Sequence, residues 1–392
     1  MMRRYASLVF LLLIFLGSCA TQRLPPIGEA GLSQLDEDEK RLWIRAKEED
    51  EKLSGKDLVY QDLSLLDYLN RVAQGLLPES ARRHGISIRV KVIKNPHMNA
   101  FALPHGVMFI HTGFLAKMEN EAQLVTVLSH ELAHITHRHT VQNMRTSRNA
   151  AAFLGTLQVI GAPAGIYGLA PVLLGAVGAM AAVTGYSREL EAEADKVGFD
   201  LLVKAGYDQE ETIKVFETFI KYAEKEEIKE PFFFSTHPRL KERRESYAQL
   251  VRENTTRARG RTEADKFQAA IQALLLDNAL MDLSMGRFDL AREAVEKFLR
   301  REPKDARALY LLGEVYRKRG EEKDIAEARE RYRSALEQDP SYPDPYKGLG
   351  LIYLKQGEKG KAKDNFERYL ELAPKAEDRT YIEEYLRAIG KN

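Results

Sequence analysis

Apolar residues recur at helical spacing along most of this chain, with one short interruption that alternates instead. Leu35, Leu42, Trp43 and Ala46 mark a first helix. Leu63, Leu66, Leu69, Val72, Ala73 and Leu76 mark a second, which stops before Pro78. Ile86, Ile88, Val90 and Val92 then alternate with polar residues, the period-two signature of a half-buried strand. Asn99–Leu103 and Val107–Ile110 flank Pro104-His105-Gly106, which predicts a hairpin. From about Asn120 to Arg145 the pattern is helical again, carried by Leu124, Val127, Leu128, Leu132 and Ile135. A further helix opens at Arg188, continues through Val197 to Ala205 and ends at Gly206, a C-cap residue. Glu210 to Lys221 is amphipathic in the same sense.

Around Asn254 to Asp265 the chain loses apolar residues, which predicts a domain boundary. Beyond it the pattern repeats. Leu312-Gly313-x-x-Tyr316 matches Leu349-Gly350-x-x-Tyr353, and Ala328-x-x-x-Tyr332 matches Ala362-x-x-x-Phe366. Pro303, Pro340 and Pro374 close three units. This is the tetratricopeptide pattern of about 34 residues, a helix pair that must stack on its neighbours to bury its apolar face. The first unit, from about Gln272, is degenerate, because Ala279 and Asp282 replace the usual Gly and Tyr. The middle unit carries extra residues near Glu321 to Asp324, and Glu377 to Ile389 predicts a capping helix.

Composition changes the picture at two places. No charged residue lies between Arg148 and Arg188, where glycines and Pro163 and Pro171 divide an apolar run into two short pieces. Each piece is short for a membrane span of about 20 residues. A small-residue helical hairpin fits, as a lid, as a surface dipping into a membrane, or as a plain core hairpin. At the N-terminus Arg3 and Arg4 precede the apolar run Leu8–Leu16, followed by Leu16-Gly17-Ser18-Cys19. This predicts a signal peptide over 1–18. Its end resembles a bacterial lipobox, with Cys19 as the lipidated residue. Cys19 is the chain's single cysteine, so no internal disulfide forms. Ala20 follows it, which by resemblance to sorting rules directs the protein to the outer membrane, facing the periplasm. The Pro- and Gly-containing stretch 19–31 reads as a tether. Lys plus Arg is 59 against 58 acids, so no basic field argues for nucleic acid.

The chemistry concentrates in His130-Glu131-Leu132-Ala133-His134. Residues four apart lie one above the other on a helix, so both histidines can face one metal ion. Glu131 stands beside the first and can reach a water on that ion. Two imidazoles and a carboxylate suit zinc, and the spacing is the signature of zinc-dependent peptidases. A catalytic zinc site needs a third protein ligand. His137 sits roughly 10 Å from His130 along a straight helix, too far to share the ion. His137 and His139 are accordingly read as supporting or surface groups. Glu191 and Asp195 are four apart on the Arg188 helix and can both face the motif, with Glu189 and Glu193 as rivals in the same run.

His-Glu-x-x-His followed by Glu191-x-x-Ala194-Asp195 resembles the CAAX-prenyl-protease-like gluzincins of the HtpX, Oma and BepA type. The resemblance implies one zinc per chain held by His130, His134 and Glu191, with Asp195 orienting a ligand histidine. Thr236-His237-Pro238, with Arg243 downstream, resembles another element of that family. It implies that His237 faces the metal, either to stabilise an oxyanion or to ligate the ion at rest. Arg239 stands where relatives often have a second Pro. The strand Asn99-Ala100-Phe101-Ala102 is expected to line the cleft and pair with an extended substrate.

The expected architecture is α+β: a mainly helical gluzincin domain with a small sheet over 32–253, then an all-α tetratricopeptide solenoid over 264–390. The expected protein is a lipid-anchored periplasmic zinc endopeptidase, with Glu131 as proton acceptor. Its substrates would be misfolded or stalled envelope proteins, and its repeats would recruit them or the outer-membrane assembly machinery. The alternative is a tethered chaperone or adaptor with a permanently self-blocked zinc site.

Overall fold

The computed structural model describes residues 24–27, 35–55, 57–83, 85–146, 186–225, 239–255 and 259–390. Residues 1–23, including Cys19, the uncharged run up to residue 185, and His237 lie outside the described residues. Ile27, within the stretch read as a tether, is buried in the main core.

The expected fold class is the one found. Helices α1 (Glu37–Ser54) and α2 (Leu63–Leu76) lead through the short α3 (Glu79–Arg83) into a three-stranded sheet. Its strands are β1 (Arg89–Ile93), β2 (Ala100–Ala102) and β3 (Val107–His111), in the order β1-β3-β2. β1 and β3 are parallel, whereas β2 and β3 form the predicted antiparallel hairpin, with Phe101 opposite Phe109. Among the described residues β2 is therefore an edge strand. After α4 (Thr112–Lys117) comes α5 (Glu121–Thr136), buried at every position.

One continuous helix from about 120 to 145 was expected, and the structure breaks it. α5 ends at Thr136, Arg138 takes a left-handed φ of 59°, and α6 (His139–Thr146) starts in a new direction. The break is stabilised by the buried Arg138, whose guanidinium donates to the equally buried Glu39 of α1. Helices α7 (Arg188–Lys204), α8 (Glu210–Lys225) and α9 (Leu240–Glu253) complete this part.

The repeats begin after α10 (Ala264–Ala270). They pair α11 (Gln272–Ser284) with α12 (Phe288–Leu299), α13 (Ala306–Arg319) with α14 (Asp324–Gln338), and α15 (Asp344–Lys355) with α16 (Lys359–Leu372). α17 (Arg379–Gly390) caps them. The repeat glycines have a steric reason. A Cβ on Gly313 would come 2.6 Å from the Tyr332 ring, and one on Gly350 would come 2.6 Å from the Phe366 ring. Where the first unit has Ala279 instead, the matching aromatic position is the smaller Val295, and both are fully buried. That unit keeps the volume while losing the sequence signature.

The first repeat is built into the preceding fold. Phe267, Ile271, Leu274 and Leu275 share one core with Phe114, Phe216 and Phe219. Lys297 is buried and donates to the carbonyls of Ala116 and Met118 at 3.1 and 2.5 Å. Burial pushes its pKa down to about 8. The later repeats form a separate core around Tyr332 and Phe366. Among the described residues no helix is long and apolar enough to cross a membrane.

Candidate metal centre

Two caps and one first-turn carboxylate fix the helices that carry the site. Asn120 accepts from Gln123 N at 3.0 Å and starts α5. Glu121, in the first turn, accepts from Tyr68 and Tyr207 hydroxyls, both at 2.5 Å. Ser187 caps α7 by accepting from Leu190 N. The two helices then approach closely, because α7 carries Gly198 where it meets α5. A Cβ there would lie 3.0 Å from His130 N and 3.2 Å from His130 Cα.

This approach brings His130, His134 and Glu191 together, all buried, with one potential ligand atom from each within 4.8 Å of the others. The His130 and His134 Nε2 atoms are 3.0 Å apart. Each lies 3.6 Å from a different Glu191 oxygen. Two imidazoles and one carboxylate converging in a buried site fit zinc with a position left for water. Glu131 is buried beside them. Of the rivals, Glu189 is exposed, and Glu193 faces His139 Nε2 at 3.7 Å rather than the cluster.

Behind His130, Asp195 Oδ1 lies 3.0 Å from Nδ1. With Nε2 turned to an ion, Nδ1 carries the proton and donates it to Asp195. Arg243 donates to both Asp195 oxygens, at 2.5 and 3.0 Å, and pairs with Glu191 at 3.2 Å. Its guanidinium also lies over the Phe216 ring. Burial alone would raise the Asp195 carboxyl; Arg243 and His130 outweigh it and hold the group well below the usual carboxylate range. Thus Arg243 offsets one of the two carboxylate charges and ties α9 to the centre.

Of two further groups here, the sequence assigns Tyr186 no place, and gives His139 either a supporting or a surface role. Tyr186 stacks on the His134 ring at 4.0 Å and shares a 3.0 Å hydrogen bond with the Thr140 hydroxyl. Burial pushes its phenol pKa up, and the charges of Glu131 and Glu191 push it further. His139 is fully buried, and its Nδ1 lies 2.9 Å from His134 Nδ1. His137, by contrast, is half-buried and hydrogen-bonded to Thr136. β2, with Asn99 at its start, packs against α5.

A helix bearing His-Glu-x-x-His, crossed by a second helix bearing the glutamate and aspartate, defines a gluzincin metallopeptidase fold. Residues 65–250 match the model of Peptidase family M48, and this part of the chain belongs to that family, whose members are zinc-dependent. Tetratricopeptide-repeat models match residues 276–324, 321–357 and 346–375. The chain is 27% identical over 198 residues to the Beta-barrel assembly-enhancing protease of Escherichia coli K12, covering 48% of this chain and 39% of that protein. It is 32% identical over 166 residues to Mitochondrial metalloendopeptidase OMA1 of Arabidopsis thaliana, covering 42% and 32%. It is 31% identical over 161 residues to Metalloprotease YcaL of Escherichia coli K12, covering 41% and 61%. The chain thus matches less than two thirds of the length of these relatives.

Proposed function

We propose that this protein is a zinc-dependent endopeptidase of the bacterial envelope that cleaves misfolded or stalled envelope proteins. The observation that carries this reading is the buried convergence of His130, His134 and Glu191 next to Glu131. When bound, zinc would supply a Lewis acid and make a water acidic near neutral pH. Glu131 then accepts the proton of the attacking water and hands it to the leaving amine. Asp195 and Arg243 hold His130 and Glu191 in place. His237, by its family resemblance, stabilises the oxyanion.

Substrate enters as an extended segment. Among the described residues β2 pairs with β3 on one side only, and its other edge is the proposed place for an added strand along Asn99, Ala100, Phe101 and Ala102. The helical repeats recruit the substrate or an assembly partner. The name of the Escherichia coli relative, Beta-barrel assembly-enhancing protease, supports a role beside beta-barrel assembly. Cys19, lipidated after removal of 1–18, anchors the protein to the outer membrane facing the periplasm. The division into a peptidase part over 32–253 and a repeat part over 264–390 goes with this reading.

The test is zinc content of purified residues 20–392, followed by cleavage of a denatured outer-membrane protein. About one zinc per chain is expected, lost in Glu191→Ala. Glu131→Gln should keep the zinc and lose cleavage by about 100-fold or more. A chain that holds zinc but leaves every unfolded substrate intact would favour the adaptor reading.

A further inference from the structure

We propose that His139 is the positioning residue for His134, so that the two histidine ligands are held by chemically unlike partners. The inference rests on the zinc-site reading above. His134 turns Nε2 towards His130 and Glu191, at 3.0 and 3.6 Å. Nε2 is therefore its metal-facing nitrogen, and its proton sits on Nδ1. That Nδ1 lies 2.9 Å from His139 Nδ1. A donor needs an acceptor, so His139 presents the lone pair of Nδ1 and carries its own proton on Nε2. His139 Nε2 faces Glu193 Oε2 at 3.7 Å, an electrostatic distance that favours this tautomer.

The backbone is shaped for this contact. On an unbroken helix His139 would stand about 140° around the axis from His134. The left-handed Arg138, pinned by buried Glu39, turns the chain and returns His139 to the His134 ring. Backbone strain of this kind at a non-glycine residue persists where surrounding contacts demand it. Tyr186 stacks on His134 and fixes the ring's plane.

The consequence is an asymmetric centre. His130 donates to a carboxylate, which raises its basicity as a ligand. His134 donates to a neutral imidazole, which raises it less. Held by these two unlike histidines, a bound zinc would keep more of its Lewis acidity than between two carboxylate-backed ones.

The experiment compares zinc dissociation constants, by chelator competition, for the full chain, His139→Leu and His139→Asn. Thermal unfolding of the metal-free forms runs alongside, with 15N-imidazole spectra of the parent. Leu should raise the zinc Kd about 10- to 100-fold. Asn, whose carbonyl can accept from His134 Nδ1, should recover most of that loss. The spectra should show His139 protonated on Nε2. A parent-like Kd in His139→Leu overturns the proposal. So do equal losses in Leu and Asn that track a fall in metal-free stability, which would reduce His139 to packing. A parent that binds no zinc overturns the site itself, and the role of His139 with it.

Discussion

At the residue scale the centre depends on what is missing as much as on what is present. Gly198 has no side chain where α7 touches the backbone of His130. Adding a Cβ meets main-chain atoms, which cannot rotate away. Gly198→Ala should push the helices apart at the site, costing about 1–3 kcal/mol of stability as other overpacked cores do. It should also weaken zinc binding, because Glu191 and Asp195 ride on the displaced helix. Thermal unfolding with and without zinc checks both, and an unchanged zinc-induced gain would show the helices free to adjust. Asp195→Asn tests the other side. It keeps the shape but removes the anion that accepts from His130 and pairs with Arg243. Zinc affinity should fall about 10- to 100-fold, measured by the same competition. Because Arg243 then loses a buried partner, the metal-free protein should unfold earlier as well.

At the element scale, what the sequence made legible is what regular geometry carries. Residues four apart on a helix must share a face, so the pairing of His130 with His134 and of Glu191 with Asp195 is legible from spacing alone. Alternation likewise announced β1 and the hairpin. His139 could not be placed this way. Its position depends on the reversal at Arg138, and helical arithmetic across that point gives a wrong direction. Tyr186 sits at the end of an uncharged run with no periodicity to orient it. The joint between β2 and the first repeat was also illegible, because its contacts are long-range. Arg287 of the repeat donates to His97 Nδ1 at 2.9 Å, to the Tyr222 hydroxyl and to the Pro96 carbonyl, just ahead of β2. An arginine only donates, so His97 must stay neutral there. Burial lowers its pKa, Arg287 lowers it further, and it reaches about 4. Neighbouring His111 is pushed by burial to about 3. Both fall below the unfolded value of about 6.5. Between pH 6.5 and 4 the unfolded chain binds protons that the fold refuses, so stability should fall as pH falls. The loss at pH 5 should be about 2–3 kcal/mol, most of it from buried His111, because the partial exposure of His97 discounts its share. Denaturant midpoints at pH 7 and 5 check this, and His97→Gln should reduce the difference while leaving the share of His111.

On the scale of the whole molecule, the boundary between the two family matches is not a boundary in the core. Side chains of α10 and α11 are buried with Phe114 of α4 and the phenylalanines of α8. Lys297 closes the carbonyl end of α4, while Glu293 binds Lys117 at 2.7 Å and Lys225 at 2.6 Å. Tyr60, ahead of α2, donates to Asp277 at 2.8 Å. The shared core extends through Leu311, Leu312 and Val315 of α13, and the next cluster starts afresh at Ala328. Where the chain can be cut follows from this. Ending it after residue 263 removes Phe267, Ile271 and Leu274 and leaves their apolar partners facing water. Losing even one such fully buried large side chain costs about 2–5 kcal/mol, so this fragment should unfold well below the parent and lose its zinc. Ending it after Gly320 removes the second core and preserves the first. That fragment should bind about one zinc and cleave small unfolded peptides at a rate near the parent's. With the proposed recruiting repeats shortened, it should cleave full-length unfolded proteins more slowly than the parent. Zinc content and unfolding temperature of the two fragments distinguish the cases. Parent-like stability in the shorter one would mean that the first repeat is an attached module, not part of the peptidase core.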